Sequence, residues 1–599
     1  MRTRLFLASL VAMGVVVFKP HTGRGAEPWP SDVPGFVKPQ PGEHPRLLFR
    51  EADVPALRKK AETPEGKAIL TRLRFLLGNN GETFPTKFSP ATKGYPGPGK
   101  YQNLVIHELG YFTLSHAAGY GLLYQLTGEQ KYADLGRQSF EKMMEGIRDV
   151  DSRYSFVGPN GELRSGSSWA IAALGYDLCY DGWAEEFRKR VAQAFLTVQT
   201  EQQNADLKKV VTNPKYRPSK NHYGGIMCGA VAAAAIMNDP GTEGEDIDGQ
   251  WLPAAYENTK AVLTEGFGDH GFYSEGHGPS HVASDTGLML WLQAARTACG
   301  KDFITPAPNA QWLTLRWVME VVPLGGLPQY PDRKGASSSY GTDDFWRIGP
   351  WSHSGQFAQG FGVVDKKYVP AVLWTYKNFV EAAELKGQWS KHDRAIAETG
   401  RLQPGERSYD AIAAPWHAVM SFVNWPIRIE PANPESVLPA AMEDRVHGYY
   451  VFRNRWQDEN DILVTALLGY GPRDAYKPKA GPVYLWGLGK KVSFGSFRSS
   501  EPAEFTPGTN GGVVSTDSQC LAVDFSGTCG APALIVLVGI DGPKAAGNLA
   551  VSTVDADGAQ VTVITLQEGE PPVVRSDDGK ITIGGQTVTW DGKRIVFLK

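Results

Sequence analysis

The sequence predicts an α+β chain of two large parts, a helical domain of stacked hairpins and then an antiparallel β-sandwich. Two observations carry this. Apolar residues recur at helical spacing through the first two thirds, as at Phe140, Met143, Met144 and Ile147, or Phe187, Val191, Ala194 and Phe195. From about residue 430 the text changes to short β-branched and aromatic runs such as Tyr449-Tyr-Val-Phe452 and Ala533-Leu-Ile-Val-Leu-Val538.

In chain order, Met1-Arg-Thr-Arg4 is a basic start, Leu5 to Phe18 an apolar run, and Gly25-Ala26 a small-residue cleavage point, so residues 1–26 read as a secretory signal. The expected location is periplasmic or secreted. No later run matches a membrane span, so no membrane insertion follows signal cleavage. Residues 27–45 are Pro-rich and read as an extended lead-in. The helical domain occupies 46–425, with further helix candidates at 52–77, 105–127, 168–180, 220–237, 251–264, 281–298, 309–321, 343–359 and 367–386. Such one-faced helices bury their stripes against one another. The strand-rich domain covers 430–599, where Asp578-Gly579 and Asp591-Gly592 are placed as hairpin turns. The five cysteines are an odd number for an exported chain; Cys520 and Cys529 are spaced to close a small loop, with buried free thiols as the alternative.

Composition narrows the function classes. The 599 residues carry 61 Lys+Arg against 64 Asp+Glu, a net charge of -3, so no overall field draws nucleic acid or an anionic membrane. At 42% hydrophobic and 21% charged, the chain is a folded protein and not a disordered one. Nucleotide-loop, serine-elbow, HExxH and paired CxxC motifs are absent from the sequence.

Three polar segments interrupt the helical text. Ser219-Lys-Asn221-His222-Tyr-Gly-Gly225 opens a very apolar helix, where an amide, an imidazole and free backbone N–H groups can face an anion; the plain alternative is that Asn221 caps the helix and His222 is a core group. Gly268 to His281 gathers Asp269, His270, Tyr273, Glu275, His277 and His281 among four glycines, too much titratable chemistry for a turn alone. His277, His281 and Asp285 stand at i, i+4, i+8, a metal-ligand spacing, but His277 falls before the helix start, so no metal and no other cofactor is assigned. Tyr330 to Asp344, with Arg333 and Tyr340, is a polar connector between apolar helices that either lines a cleft or is simply solvated.

At these residues the chain resembles the heparinase II/III-like and alginate-lyase group of polysaccharide lyases. The resemblance rests on His44-Pro-Arg-Leu-Leu-Phe-Arg50, Tyr124-Gln-Leu-Thr-Gly128, Gly175-Tyr-Asp-Leu178, Asn221-His222, Asp269 to His281 and Gly448-Tyr-Tyr-Val-Phe-Arg453 with Trp456. It implies an (α/α) toroid followed by an antiparallel β-sandwich, and β-elimination at a uronic acid. It also implies an acidic polysaccharide or oligosaccharide as partner. The roles it suggests are Asn221 and His222 on the carboxylate and Tyr273 and His281 as base and acid, with Glu275, His277, Arg333 and Tyr340 contacting substrate.

Two departures matter. Ser280 stands before His281 where the group carries Tyr, and Gly471 to Lys479 has no His where many relatives are His-rich. A glycoside hydrolase using Glu275 with Asp269 or Asp285 is the second reading. A glycan-binding chain without catalysis is the third.

Overall fold

The computed structural model describes residues 29–88, 111–149, 152–160, 162–201, 204–275, 287–305, 307–324, 327–329, 356–380, 415–439, 441–444, 446–453, 455–458, 461 and 463–467, and the backbone of the later strands. The signal segment, His277, His281, Asp285, Arg333, Tyr340, the 471–479 segment and Cys529 lie outside the described residues.

Helices α1 (Val54–Ala61) and α2 (Pro64–Leu77) divide the first expected helix, because Thr63 caps α2 through its hydroxyl, 3.1 Å from the Gly66 N–H, with Pro64 in the first turn. Helices α3 (His116–Thr127), α4 (Gln130–Met144), α5 (Glu162–Cys179), α6 (Glu185–Thr197) and α7 (Leu207–Thr212) follow. The expected helix at 220–237 is two, α8 (Asn221–Met227) and α9 (Gly229–Ile236). After α10 (Leu252–Ala261), extended at each end by a π-helical turn, come α11 (Leu288–Cys299), α12 (Asn309–Glu320), α13 (Gln356–Gly360), α14 (Val369–Thr375) and α15 (Pro415–Asn424). No helix among the described residues is long and apolar enough to cross a membrane.

Helix contacts run in a closed circuit: α3 touches α5, α5 touches α8 and α9, these touch α11, α11 touches α13, α13 touches α15, and α15 returns to α3. Partner helices lie between the members of the circuit in sequence, as stacked hairpins require. Small residues let the ring close. A Cβ on Gly121 of α3 would stand 2.5 Å from Leu178 of α5, and one on Gly175 would stand 2.5 Å from Ala117. Ala230 to Ile236 of α9 are fully buried, and Trp169, Trp291 and Trp416 fill the core around them.

The lead-in is pinned to this body. Strand β1 (Ser31–Asp32) pairs with β2 (Lys301–Asp302), and the Trp29 indole donates to the Phe303 carbonyl at 3.0 Å. The segment then enters the core at His44, whose ring nitrogens lie 2.7 Å from Asp177 and 2.9 Å from Asp239. Arg46 donates to Asp239 at 2.6 Å and to the Met237 carbonyl at 2.7 Å, and the Tyr176 hydroxyl donates to Asp239 at 2.8 Å. All are buried and mutually satisfied. The sequence motifs around His44 and Asp177 thus build one structural knot.

A short hairpin, β3 (Val322–Leu324) and β4 (Leu327–Gln329), follows α12. The C-terminal strands form three sheets. The first is an antiparallel meander of β5 (Ala441–Asp444), β6 (Tyr449–Arg453), β7 (Leu463–Leu467), β8 (Val483–Gly487) and β9 (Lys490–Ser493). The second holds β10 (Gly512–Thr516), β11 (Cys520–Asp524), β12 (Ala533–Val538), β14 (Ala559–Thr565) and β13 (Ala550–Ala556), in that order. The third is β15 (Val573–Arg575), β16 (Ile581–Ile583), β17 (Gln586–Trp590) and β18 (Ile595–Leu598). The turn expectations at Asp578-Gly579 and Asp591-Gly592 lie outside the described residues. The expectation of a purely antiparallel arrangement is corrected at one place. Strand β14 pairs parallel to β12, because the β13–β14 hairpin docks with its second strand inward.

Candidate active site

The site candidates are built on the first sheet and the ring together. Helix α12 contacts β6, and the join is polar and buried. Tyr449 of β6 donates its hydroxyl to Glu320 at 2.8 Å, and Arg316 donates to both Glu320 oxygens at 3.1 and 3.0 Å. Burial pushes the Glu320 carboxyl upward, against the pull of Arg316. Arg453 donates to Asp461 at 3.0 Å and to the Met319 carbonyl at 3.3 Å, while the Trp456 indole donates to the Val318 carbonyl at 3.1 Å.

From this join the sheet holds the 268–275 loop. Asp444, fully buried on β5, accepts the N–H groups of His270 at 3.0 Å, Phe272 at 3.2 Å and His447 at 3.1 Å. Gly268 has φ of +63°, and a Cβ there would stand 2.3 Å from Asp444, so only glycine fits this approach. Phe272 stacks on Tyr449 at 4.1 Å, His270 meets Trp312 edge-on at 4.6 Å, and the His447 ring donates to the Glu265 carbonyl at 3.1 Å.

The far end of the loop reaches the start of α8. Glu275 accepts the Asn221 N–H at 3.0 Å, and Ser274 donates its hydroxyl to the Ser219 carbonyl. Two segments 54 residues apart, each singled out in the sequence, are thereby stitched together. Asn221 is the first helical residue and not the residue before it, so the position of a side-chain cap falls to Lys220. Asn221 is 3% exposed and its Nδ2 has no hydrogen-bond partner; the same holds for the buried Nδ1 of His222. His222 lies against Tyr216, ring centroids 4.6 Å apart. Burial, then the charges of Arg164 and Lys220, bring the His222 imidazole down to about 4, so it is neutral at neutral pH.

The remaining described candidates sit deeper. Tyr273 is 1% exposed, its ring against Phe267 at 4.7 Å, so its hydroxyl is not presented to solvent. Glu275, at 3% exposed, accepts the Asn221 N–H on one carboxylate oxygen. Asp269 lies 3.4 Å from the His270 ring at the surface side of the loop. Among the described residues no three His, Cys, Asp or Glu side chains gather as a metal site.

Sequence reasoning missed Asp444, which holds the loop, and Arg164, whose charge adds to burial in lowering His222. Arg164 belongs to the polar first turn Glu162-Leu-Arg-Ser-Gly-Ser-Ser168 of an otherwise apolar helix, and that polar start was the available signal. The role of Asp444 in holding the loop carries no local signal, because its two loop partners are 172 and 174 residues away.

Fold and site together define a class: a ring of helices joined to β-sheets, with polar groups collected where a sheet-anchored loop meets a ring helix. No family model matches the chain, and no curated protein matches it. Among solved structures it is similar to heparinase III, with a TM-score of 0.38 and 11% identity over 77% of this chain and 66% of that one, just under two thirds of its length. It is also similar to a heparan sulfate lyase from Pedobacter heparinus, with a TM-score of 0.41 and 12% identity over 90% of this chain and 99% of that one. Likenesses at this level carry no statement about activity.

Proposed function

We propose that the protein is an exported polysaccharide lyase that cleaves a uronic-acid-containing polysaccharide by β-elimination. The observation that carries the reading is the junction of Asn221 and His222 with the 273–275 segment, where buried donors without partners meet titratable side chains. The basic and apolar start of residues 1–26 supports export. The closed helix circuit is read as an (α/α) toroid, and the C-terminal sheets as a β-sandwich beside it.

Elimination needs three things. The uronate carboxylate must be neutralised, so that the C5 proton becomes acidic; Asn221 and His222 supply hydrogen bonds to it. A base then takes the C5 proton, and the electron pair forms a C4=C5 double bond as the C4–O bond breaks. An acid protonates the departing glycosidic oxygen. Tyr273 and His281 are the proposed base and acid. Tyr273→Phe isolates that role, because it keeps the packed ring and removes only the hydroxyl.

The test incubates the full chain with alginate, glucuronan, heparan sulfate, chondroitin and hyaluronan, following ultraviolet absorbance of the conjugated double bond and the formation of reducing ends. The reading expects both signals on at least one polymer and their loss in His222→Ala. Reducing ends without the double bond on every substrate cleaved would replace elimination with hydrolysis.

A further inference from the structure

Helix α12 meets the 268–275 loop at two places. At its start, Asn309 donates its amide to the Gly268 carbonyl at 2.7 Å, and the Trp312 carbonyl lies so near Gly271 that a Cβ there would stand 2.4 Å from it. At its end, Glu320 reaches the loop through the sheet: the Tyr449 hydroxyl donates to Glu320 at 2.8 Å, while the Tyr449 ring stacks on Phe272 at 4.1 Å. The two grips stand at opposite ends of one helix of 12 residues, about 18 Å long at 1.5 Å per residue. The last turn of that helix is itself held by the sheet. The Trp456 indole and the Arg453 guanidinium donate to the Val318 and Met319 carbonyls, which have no partners within the helix.

Tyr449, Glu320 and Arg316 are all buried. Thr465 of β7 hydrogen-bonds the same Tyr449 hydroxyl, so that oxygen donates and accepts at once. A ring placed only to fill the core needs no hydroxyl, since phenylalanine would pack the same surface without burying a polar group. From Phe272 the chain runs directly to Ser274 and Glu275, which hold the Ser219 carbonyl and the Asn221 N–H. We propose that Tyr449 is a positioning residue of the candidate site: its hydroxyl on Glu320 and its ring on Phe272 fix the loop against α12, so that Ser274 and Glu275 stay on the start of α8. Asp444 ties the loop backbone to β5; the Tyr449–Glu320 bond is a separate tie, of sheet and loop to the ring. The effect of Tyr449 on turnover rests on the proposed function, and its effect on the loop does not.

The experiment compares the full chain as wild type, Tyr449→Phe, Glu320→Gln and the double variant. Hydrogen–deuterium exchange is read on all four, and turnover on any uronate polymer that wild type cleaves. Tyr449→Phe keeps the stacked ring and removes only the hydroxyl. The proposal expects exchange in 268–275 and at the start of α8 to rise by at least about tenfold, with the α4 peptide 130–144 unchanged. It expects kcat to fall with KM little changed, because the buried hydroxyl does not touch substrate. Glu320→Gln keeps an acceptor for the hydroxyl, so it should move the loop less, and it should add little in the Tyr449→Phe background. A packing role alone would leave Tyr449→Phe at wild-type exchange and kcat. Loop exchange unmoved by Tyr449→Phe, exchange raised equally in 130–144, a rise in KM at unchanged kcat, or loop effects that add in full in the double variant would overturn the proposal. Loop exchange that depends on the hydroxyl, with no elimination by wild type on any polymer, would sink the lyase reading and leave Tyr449 in its role. Elimination by wild type, with loop exchange and kcat unmoved by Tyr449→Phe, would do the reverse.

Discussion

Replacing Asp444 with alanine should release the 268–275 loop while leaving the helical ring folded. The carboxylate accepts two loop N–H groups, from His270 at 3.0 Å and Phe272 at 3.2 Å, in a fully buried setting. Each buried donor left without an acceptor costs about 1–3 kcal/mol, and the loop recovers part of this by relaxing toward water. A net loss of about 3 kcal/mol in local stability corresponds to a rise of about 100-fold in transient opening. Hydrogen–deuterium exchange read by mass spectrometry measures this on peptides covering 268–275, with the α4 peptide 130–144 as internal control. Asp444→Asn keeps one acceptor oxygen and should fall between the two. Turnover should drop with the loop, since Glu275 and Ser274 hold the start of α8 from its far end. Exchange in 268–275 unchanged by Asp444→Ala, or raised equally in 130–144, would refute the claim that the sheet positions this loop.

Other consequences follow from the same geometry. Glu275→Ala should speed amide exchange at the start of α8 by about 30-fold, from roughly 2 kcal/mol for an orphaned buried N–H, while Glu275→Gln keeps an acceptor and should change it far less. His44→Ala should lower thermal stability sharply, because it leaves Asp177 and Asp239 buried without one of their partners, a loss of about 3–5 kcal/mol; a melting temperature within a degree or so of wild type would contradict this. His116 and His222 are both held down at about 4, so the unfolded chain, with histidine near 6.5, binds more protons between those values. Their contribution to stability is full above about pH 6.5 and is lost as pH falls toward about 4, and melting temperatures of His222→Gln across that window should decline less steeply than wild type. Burial pushes the Cys179 thiol up and the Cys299 thiol up to about 12, so a thiol reagent should label neither in the folded protein and both after denaturation.

Much of the fold was legible because its signals are local. The stripe through Phe140 and Met143 is buried on α4, and the β-branched and aromatic runs Tyr449–Arg453 and Ala533–Val538 are strands. The division of the first helix was also written locally, in Thr63-Pro64, but a continuous apolar period masked it. The parallel pairing of β14 with β12 was not legible, since nothing in a hairpin's own sequence states which of its strands lands inward. The site shows the same division. Asn221, His222 and Glu275 stood out as polar interruptions of apolar text, and the structure joins them. Their support did not stand out: Asp444 is one carboxylate at the end of a strand, and the loop N–H groups it holds are distant in sequence.

The central claim is that the Asn221–His222 junction carries out elimination on a uronate chain. Mass spectrometry of the fragments from a defined uronic-acid oligosaccharide tests it most directly, because elimination gives a new non-reducing end lighter by one water than hydrolysis gives. The account predicts such unsaturated fragments from wild type and none from Asn221→Ala or His222→Ala variants that retain the wild-type fold by circular dichroism. Fully hydrated fragments, or unsaturated fragments formed equally well by both variants, would contradict it.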